Sequence, residues 1–487
     1  MTDHLTTRAR WLALVILCVG DLMIVVDTTV VNVALPSIRS DLGFSQESLA
    51  WVVNAYMLTF GGFLLLAGRL GDLLGHRRLF LAGTAAFTAA SLVCGISSTK
   101  GMLIAARAAQ GLGGAVVSAV AFSLIVVLFT EPSQRAKAMG VFGFVMSGGG
   151  TIGVLAGGVL TDLVGWHWIF LVNLPIGVAV LATGLRLLPS VHTGAEERRL
   201  DVAGAVAITT AMVLATYAIV NGNSAGWTSG QTLGLLAAAV AIGAGFIAWE
   251  RRAPAPLMPL EIFRHHNVRV ANIVGTLWAA AMFALFFMSA LYLQLVLHYS
   301  PLEVGLAFLP GNIIMMAFSL GLSAKLVMRY GFAKPLAFGL SVAALALLWF
   351  ARAPVDGSFL VDVLPAMVLI GIGAGLAFNP VLMAAMSDVE QQDAGLASGI
   401  TNTSFMMGGA LGLATFASAA SARTDHLAAA GKSTLEALTG GYHLAFLLGA
   451  IFALTAAAIG GAFLRTPAAP TPEAQQPEQE PEAVGAA

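Results

Sequence analysis

The chain has 487 residues, of which 58% are hydrophobic and only 10% are charged, and its mean hydropathy is +0.86. Soluble globular proteins carry about 25% charged residues, so this composition excludes an ordinary soluble protein and indicates many membrane-spanning helices. The net charge of −1 offers no electrostatic reason to expect nucleic acid as a partner.

Fourteen apolar stretches are long enough to cross a bilayer, which needs about 20 residues per helix. Because lipid cannot satisfy exposed backbone groups, an all-α polytopic membrane protein is predicted. Arg8 and Arg10 precede a first stretch that is too long and too acidic for a cleavable signal peptide, so we expect a retained first helix. The predicted spans are 11–35, 49–68, 79–97, 101–125, 138–160, 168–187, 201–220, 232–249, 269–296, 303–324, 335–351, 359–383, 396–420 and 441–464.

Basic residues predict the orientation of these spans. With the N-terminus inside, eighteen of the 24 Lys and Arg residues fall in cytoplasmic segments and five fall outside. The positive-inside rule therefore predicts a cytoplasmic-membrane protein with both termini in the cytoplasm. The tail at 466–487 is rich in proline and glutamate and is predicted to be disordered. Spans 7 and 8 carry almost no embedded charge and are expected at the periphery.

The first span contains two carboxylates, Asp21 and Asp27. Because a carboxylate is costly to ionise inside a membrane, both residues are candidates for a functional role. Arg107 in span 4 and Asp27 each lie about six residues from the predicted outer surface, ~9 Å deep. This common depth predicts an ion pair that either takes part in proton coupling or simply joins two helices. Asp21 lies deeper, roughly 120° around the helix from Asp27, and is a second candidate proton carrier.

Six stretches, in order along the chain, resemble the motifs of the 14-span drug:proton antiporter family of the major facilitator superfamily, whose members are multidrug efflux transporters. The stretches are residues 25–36, 68–78, 103–115, 150–158, 166–177 and 394–403. The resemblance implies two six-helix bundles with two extra helices between them. It also implies alternating access, in which protonation of Asp27 weakens its attraction to Arg107. The corresponding domains are 1–187, 188–268 and 269–465, followed by the tail.

The loop after span 2 is similar to the family's conformational-switch motif. Its glycines permit a tight turn, and its charges can contact helix ends as the two bundles rock. By resemblance, Asp72 docks near residues 394–398 and holds the outward-facing state. The alternative is an ordinary tight turn with basic residues that anchor the cytoplasmic side. The predicted switch residues are Gly68, Asp72, Gly75, Arg77 and Arg78.

Glycines in span 5 resemble the family's antiporter motif. Gly149, Gly153 and Gly157 recur every four residues, so they share one helix face and allow another backbone to come close. The resemblance adds Gly158 to this set and a role in sealing the transporter against leak. The family's usual proline after the middle glycine is Val154 here, which predicts a less kinked helix.

A candidate substrate cavity is predicted from methionine and aromatic residues in span 9 and from polar residues in other spans. Flexible methionine and large aromatic side chains suit adaptable apolar binding. Alternatively, half of the span 9 side chains face lipid, and each polar residue bonds a neighbouring helix. The candidates are Asn54, Gln110, Met282, Phe286, Asn312, Asn379 and Asn402.

No GxxxxGK[ST] phosphate loop, nucleophile–base pair or metal-ligand cluster is apparent, so neither a nucleotide-driven pump nor an enzyme is predicted. Cys18 and Cys94 lie in apolar stretches and suggest neither a disulfide framework nor a metal site. We predict proton-coupled efflux of lipophilic or cationic small molecules by a monomer in the lipid bilayer, without a cofactor. The alternatives are a dedicated exporter of one metabolite, lipid or siderophore, and a non-transporting membrane sensor.

Overall fold

A computed structural model describes residues 7–129, 131–188, 200–389 and 393–465, except the side chains of Asp72, Pro132, Ala136, Met146, Ser147 and Ala394. The predicted tail at 466–487 lies outside these residues. All regular structure in the described part is helical. Fourteen helices there are long and apolar enough to cross a membrane, which confirms the predicted all-α membrane fold.

We name these helices TM1 to TM14. Their bounds are Thr7–Leu42, Gln46–Gly71, His76–Gly95, Lys100–Leu128, Ser133–Leu163, Trp168–Leu187, Val202–Ala225, Gly230–Glu250, His266–Leu295, Pro301–Tyr330, Ala333–Phe350, Phe359–Ser387, Gly395–Ala429 and Thr434–Phe463.

Several helices extend beyond their predicted spans. TM1 continues through Pro36 to Leu42, well past the predicted end at residue 35. The difference arises because hydropathy detects the part of a helix in hydrocarbon, whereas backbone hydrogen bonds continue into the interface. TM10 also contains a π-helical segment, Phe318–Ser323, between two α-helical segments. Hydropathy carries no signal for such a segment.

The packing forms two six-helix bundles. TM1 packs against TM4, TM5 and TM6, and TM4 packs against TM2 and TM3. In the other bundle TM9 packs against TM13 and TM14, TM11 against TM12 and TM14, and TM10 against TM12. The bundles meet along three seams, TM2–TM13, TM5–TM10 and TM1–TM9. The residue limits proposed for the domains remain a prediction.

The TM5–TM10 seam is closed along only part of its length. TM5 contacts the first segment of TM10, Pro301–Ala317, where a Cβ added to Gly158 would lie 2.8 Å from the carbonyl oxygen of Pro301. Towards the predicted cytoplasmic face both helices are largely exposed, as at Phe144 (56%) and Met328 (78%). The two bundles therefore approach each other at the predicted outer half of this seam.

The TM2–TM13 seam is covered by TM7. TM7 packs against both helices, whereas TM8 packs mainly against TM7. Near the predicted outer face, Asn223 of TM7 donates to Glu47 Oε1 at 3.2 Å and to the Ser418 carbonyl at 2.7 Å. At the other face, Arg69 donates to the Ala255 carbonyl at 3.0 Å. The expected peripheral position thus holds for TM8, but TM7 lies against both bundles.

Candidate functional site

The carboxylate of Asp27 is completely buried (0% exposed) where TM1, TM4 and TM6 converge. Its Oδ2 lies 2.5 Å from Nη1 of Arg107. Its Oδ1 accepts hydrogen bonds from Gln110 Nε2 and Asn173 Nδ2, each at 3.0 Å. A buried charge is tolerated only when it is paired and hydrogen-bonded, and three donors meet that requirement here.

Arg107 is itself held from several directions. Its Nε donates to the Val52 carbonyl at 3.0 Å, and its Nη1 donates to Gln110 Oε1 at 2.8 Å. The guanidinium carbon lies 4.4 Å from the ring centroid of Tyr56 and 5.6 Å from that of Phe170. TM4 can present Arg107 and Gln110 together because residues three apart lie on the same helix face. The guanidinium is consequently fixed towards Asp27.

A second layer of polar groups orients the amides around Asp27. Ser91 of TM3 accepts from Gln110 Nε2 at 2.7 Å and from Asn173 Nδ2 at 3.5 Å, and it donates to the Phe87 carbonyl at 2.8 Å. Cys94 Sγ donates to Gln110 Oε1 at 3.1 Å. The Gln110 amide is thereby held in one orientation. Both oxygens of the Asp27 carboxylate thus accept from donors whose own positions are fixed by neighbouring groups.

Asp21 occupies a separate buried position on TM1, with 1% of its surface exposed. It accepts a hydrogen bond from the Ser118 hydroxyl of TM4. No basic side chain in the described part of the chain forms a salt bridge with it. The two acids of TM1 therefore differ: one is paired with a cation and the other with a neutral hydroxyl.

The glycines of TM5 lie against TM1 on one face and against TM10 on another. A Cβ added to Gly149 would meet Leu22 and Val25 at 2.9 Å. Added Cβ atoms at Gly153 and Gly157 would lie 2.9 and 2.8 Å from backbone carbonyl oxygens of TM1. Gly158 instead lies against TM10. The first three glycines thus allow close packing beside Asp27, and the fourth joins the bundles.

Two clefts formed by described residues lie in the C-terminal bundle. The first lies among TM9, TM12 and TM13 and contains the edge-to-face pair Phe378–Phe405, with centroids 6.0 Å apart. The second lies among TM9, TM10 and TM12 and contains the pair Phe286–Phe308, with centroids 5.7 Å apart. Neither cleft has a charged side chain among its described lining residues. Both clefts are therefore lined mainly by apolar and aromatic side chains.

Residues 17–413 match the family model described as Major Facilitator Superfamily. The chain therefore belongs to the Major Facilitator Superfamily. It is a membrane transporter and not an enzyme.

Other superfamily members are similar over most of the chain. The puromycin resistance protein pur8 of Streptomyces alboniger is 37% identical over 451 residues, covering 91% of this chain and 89% of that protein. The cephamycin export protein CmcT of Amycolatopsis lactamdurans is 38% identical over 410 residues, covering 84% of each chain. The multidrug resistance protein Stp of Mycobacterium tuberculosis is 35% identical over 412 residues, covering 84% of this chain and 76% of that protein.

Solved structures share the superfamily fold at low sequence identity. The POT family transporter PepTSo has a TM-score of 0.68 at 15% identity and covers 94% of this chain and 98% of its own. The inward-open xylose transporter XylE from E. coli has a TM-score of 0.60 at 14% identity and covers 94% and 97%.

The superfamily loop between TM2 and TM3 is partly described. Gly75 has φ +89°, a conformation that favours glycine, and therefore permits the tight turn between the helices. A Cβ added to Gly68 would meet no atom within 4 Å. Arg77 donates to the Leu185 carbonyl of TM6, and Arg78 is exposed. The Asp72 and Ala394 side chains lie outside the described residues, so docking of Asp72 near 394–398 remains a prediction.

The predicted cavity residues of the N-terminal bundle are both buried. Gln110 belongs to the Asp27 network and does not line an open cavity in this structure. Asn54 is 0% exposed, and neither its amide nitrogen nor its amide oxygen has a hydrogen-bond partner in the described part of the chain. Asn54 lies one helical turn before Met57 and two turns before Gly61, and both of these residues contact TM13. Asn54 is therefore on the TM13 side of TM2.

The predicted cavity residues of the C-terminal bundle divide into two groups. Phe286 and Asn312 line the smaller cleft, and Asn402 lines the larger one. Asn379 donates to the Ser319 carbonyl at 2.8 Å and to the Ser319 hydroxyl at 3.2 Å. It therefore bonds a neighbouring helix, which is the alternative to a place in the cavity. Met282 is half-buried and packs against the apolar core.

Sequence reasoning missed several residues of the site. Asn173 lies within the motif-like stretch 166–177, which was a usable signal, but its direction towards Asp27 was not predicted. Ser91, Ser118 and Tyr56 carried no signal, because small polar and aromatic residues are common in spanning helices. Trp278 in the larger cleft was missed for the same reason.

Proposed function

We propose that this transporter exports small molecules in exchange for protons, with Asp27 as the proton-coupling carboxylate. The observation that carries the proposal is a fully buried Asp27–Arg107 ion pair inside the N-terminal bundle. A buried charge pair is a costly way to join two helices, because apolar packing can do so at least as well. Relatives that are named for antibiotic resistance, antibiotic export and multidrug resistance support transport out of the cell.

The mechanism follows from the difference between ionised and protonated Asp27. The ionised form accepts from Arg107, Gln110 and Asn173 and stabilises the present arrangement. Protonation from the predicted outer side removes the charge that holds Arg107, so the contacts that join TM1, TM4 and TM6 weaken. A proton shifts a conformational equilibrium only by its different affinity for the two states, and this network supplies that difference.

The C-terminal clefts favour lipophilic substrates with aromatic rings. Aromatic pairs line both clefts, while the Asn402 and Asn312 amides supply polar contacts. A cationic substrate would find no carboxylate among the described lining residues, so a net positive charge is not what these clefts select. We further propose that the protein works as a monomer in the cytoplasmic membrane, with both termini in the cytoplasm.

A dedicated exporter of one endogenous compound is the second candidate. It is favoured by the similarity to the cephamycin export protein CmcT, which is named for a single antibiotic class. A non-transporting sensor is disfavoured, because a sensor has no need of a buried ion pair in this position.

Transport into proteoliposomes of a panel of neutral aromatic antibiotics, cationic dyes and single metabolites, with and without a pH gradient, tests these proposals. Wild type is expected to transport several neutral aromatic compounds only with a gradient. Asp27→Asn should abolish gradient-driven transport, because the carboxamide of asparagine does not bind and release a proton as a carboxylate does. The exposed acid Asp425 provides a matched control, and Asp425→Asn should transport normally.

Wild-type rates in correctly folded Asp27→Asn would overturn the coupling proposal. Transport of one compound alone would favour the dedicated exporter, and preferential transport of cations would contradict the assignment of the clefts.

A further inference from the structure

Tyr56 of TM2 has a buried hydroxyl that forms no hydrogen bond with the residues the structure describes. The residue is 1% exposed, and its Oη has no hydrogen-bond partner in the described part of the chain. Buried polar groups are nearly always hydrogen-bonded, because an unmade bond destabilises the state that contains it. The ring, in contrast, is fully engaged, since the Arg107 guanidinium lies 4.4 Å from its centroid. The two ends of one side chain therefore have different environments.

Glycines of TM4 create the space that Tyr56 occupies. A Cβ added to Gly111 would collide with the Tyr56 carbonyl oxygen, and one added to Gly114 would lie 3.0 Å from the Tyr56 hydroxyl. Arg107, Gly111 and Gly114 share one face of TM4 because they are separated by four and seven residues. The tyrosine thus runs along TM4 from its ring at Arg107 to its hydroxyl at Gly114.

This direction places the hydroxyl between the two carboxylates of TM1. The Cβ that was placed on Gly114 also lies 3.5 Å from a methyl group of Ile24, which is three residues after Asp21. Ser118, which hydrogen-bonds Asp21, is one helical turn beyond Gly114. The Tyr56 hydroxyl is accordingly about one turn, ~5.4 Å along the helix, from the Asp21–Ser118 hydrogen bond.

The charged groups around Tyr56 are few. Asp27, Arg107 and Asp21 all act electrostatically on its hydroxyl. Cys94 of TM3 is bonded to Gln110. TM7 and the part of TM13 up to Ser421, which also pack against TM2, contain no charged residue. Asp21 is therefore the anionic acceptor towards that end of the side chain.

We propose that Tyr56 is a positioning residue that links the two carboxylates of TM1. Its ring holds Arg107 against ionised Asp27 in the present state, and its hydroxyl donates to Asp21 once protonation of Asp27 releases the guanidinium. The link makes protonation of one carboxylate depend on the state of the other, and such coupling is reciprocal. The inference rests on the proposed function of Asp27 in proton coupling.

A double-mutant cycle tests the link through gradient-driven transport measured across a range of pH. Tyr56→Phe keeps the ring and removes only the hydroxyl, and Asp21→Asn removes the negative charge and leaves a neutral amide oxygen as a weaker acceptor. Each single variant is expected to lower transport about 5-fold, the effect of one hydrogen bond, and to shift the pH at half-maximal rate. The double variant should transport no more slowly than either single variant, because both disrupt the same charge-assisted hydrogen bond.

Tyr442 of TM14 is a matched control, since its hydroxyl is also buried and without a partner in the described residues. Tyr442→Phe is expected to leave the rate and its pH dependence unchanged. Multiplicative effects of Tyr56→Phe and Asp21→Asn, or a Tyr56→Phe variant that behaves like Tyr442→Phe, would overturn the proposal.

A second variant keeps the test valid if Tyr56→Phe fails to fold. Gly114→Ala keeps Tyr56 but displaces its hydroxyl, and it should show the same lack of additivity with Asp21→Asn. The outcomes also separate the two proposals. Normal transport by Asp27→Asn would contradict proton coupling through Asp27. If Asp27→Asn abolishes transport but the free-energy effects of Tyr56→Phe and Asp21→Asn are additive, only the link through Tyr56 is contradicted.

Discussion

The two bundles are built alike but enclose different chemistry. Both use glycines for close helix packing: Gly153 lies against TM1 in the N-terminal bundle, and Gly371 lies against TM10 in the C-terminal one. The N-terminal bundle buries Asp21, Asp27 and Arg107. The charged residues of TM9 to TM14 lie near helix ends or in loops, and aromatic side chains line the clefts. We infer that one bundle responds to protons and the other contacts substrate.

The largest effect is expected at the ion pair of the N-terminal bundle. Arg107→Gln leaves the Asp27 carboxylate buried without a cation, which should lower the free energy of unfolding by about 3–5 kcal/mol. Thermal unfolding in detergent, followed by size-exclusion chromatography, measures this change. The double variant Asp27→Asn/Arg107→Gln should recover most of the stability, because no unpaired charge remains, but should not recover gradient-driven transport. Recovery of transport would show that the pair is only structural.

A smaller, substrate-dependent effect is expected in the C-terminal bundle. Phe405 forms edge-to-face pairs with Phe283 and Phe378, with centroids 5.9 and 6.0 Å apart. Phe405→Ala should raise KM for aromatic substrates about 2- to 12-fold, because the substrate ring loses an edge-to-face contact with Phe405 that is worth about 0.5–1.5 kcal/mol. The pH dependence of transport should remain that of wild type.

Phe452 is the matched control for this prediction, because it forms an edge-to-face pair with Phe416 at 5.0 Å and does not line either cleft. Phe452→Ala should leave KM unchanged. A shifted pH profile in Phe405→Ala would contradict the separation of roles between the bundles.

The smallest effect is expected at TM7, which contacts both bundles. Asn223→Ala removes the hydrogen bonds to Glu47 and to Ser418, so the initial rate of export should change about 2- to 3-fold, within the net value of a hydrogen bond. The side chain of Asn221, on the same helix, donates to the Tyr217 carbonyl of TM7 at 2.9 Å and bonds no residue of either bundle in the described part of the chain. Equal effects of Asn221→Ala and Asn223→Ala would show that TM7 does not act on the seam between the bundles.

The position of the ion pair in the candidate site could be predicted from depth in the membrane. The other residues that surround this pair could not be predicted in the same way. Asp27 and Arg107 were matched by their distance from one surface, and the structure places them in contact. Gln110 was predicted to face a cavity, yet it bonds the carboxylate. Depth specifies a position along the helix axis, whereas rotation about that axis is set by packing against neighbours. The direction of a polar side chain is therefore not readable from hydropathy.

Hydropathy along the chain was enough to predict the fourteen spans and the rarity of charge within them, because transfer to lipid is a property of each segment on its own. Residue spacing was likewise enough to predict the shared face of Gly149, Gly153 and Gly157. Helix packing was needed to show that this face meets TM1, that TM7 covers the TM2–TM13 seam, and that Tyr56 lies between two carboxylates. Such contacts depend on the relative rotation of several helices, and that rotation is a property of the packed assembly.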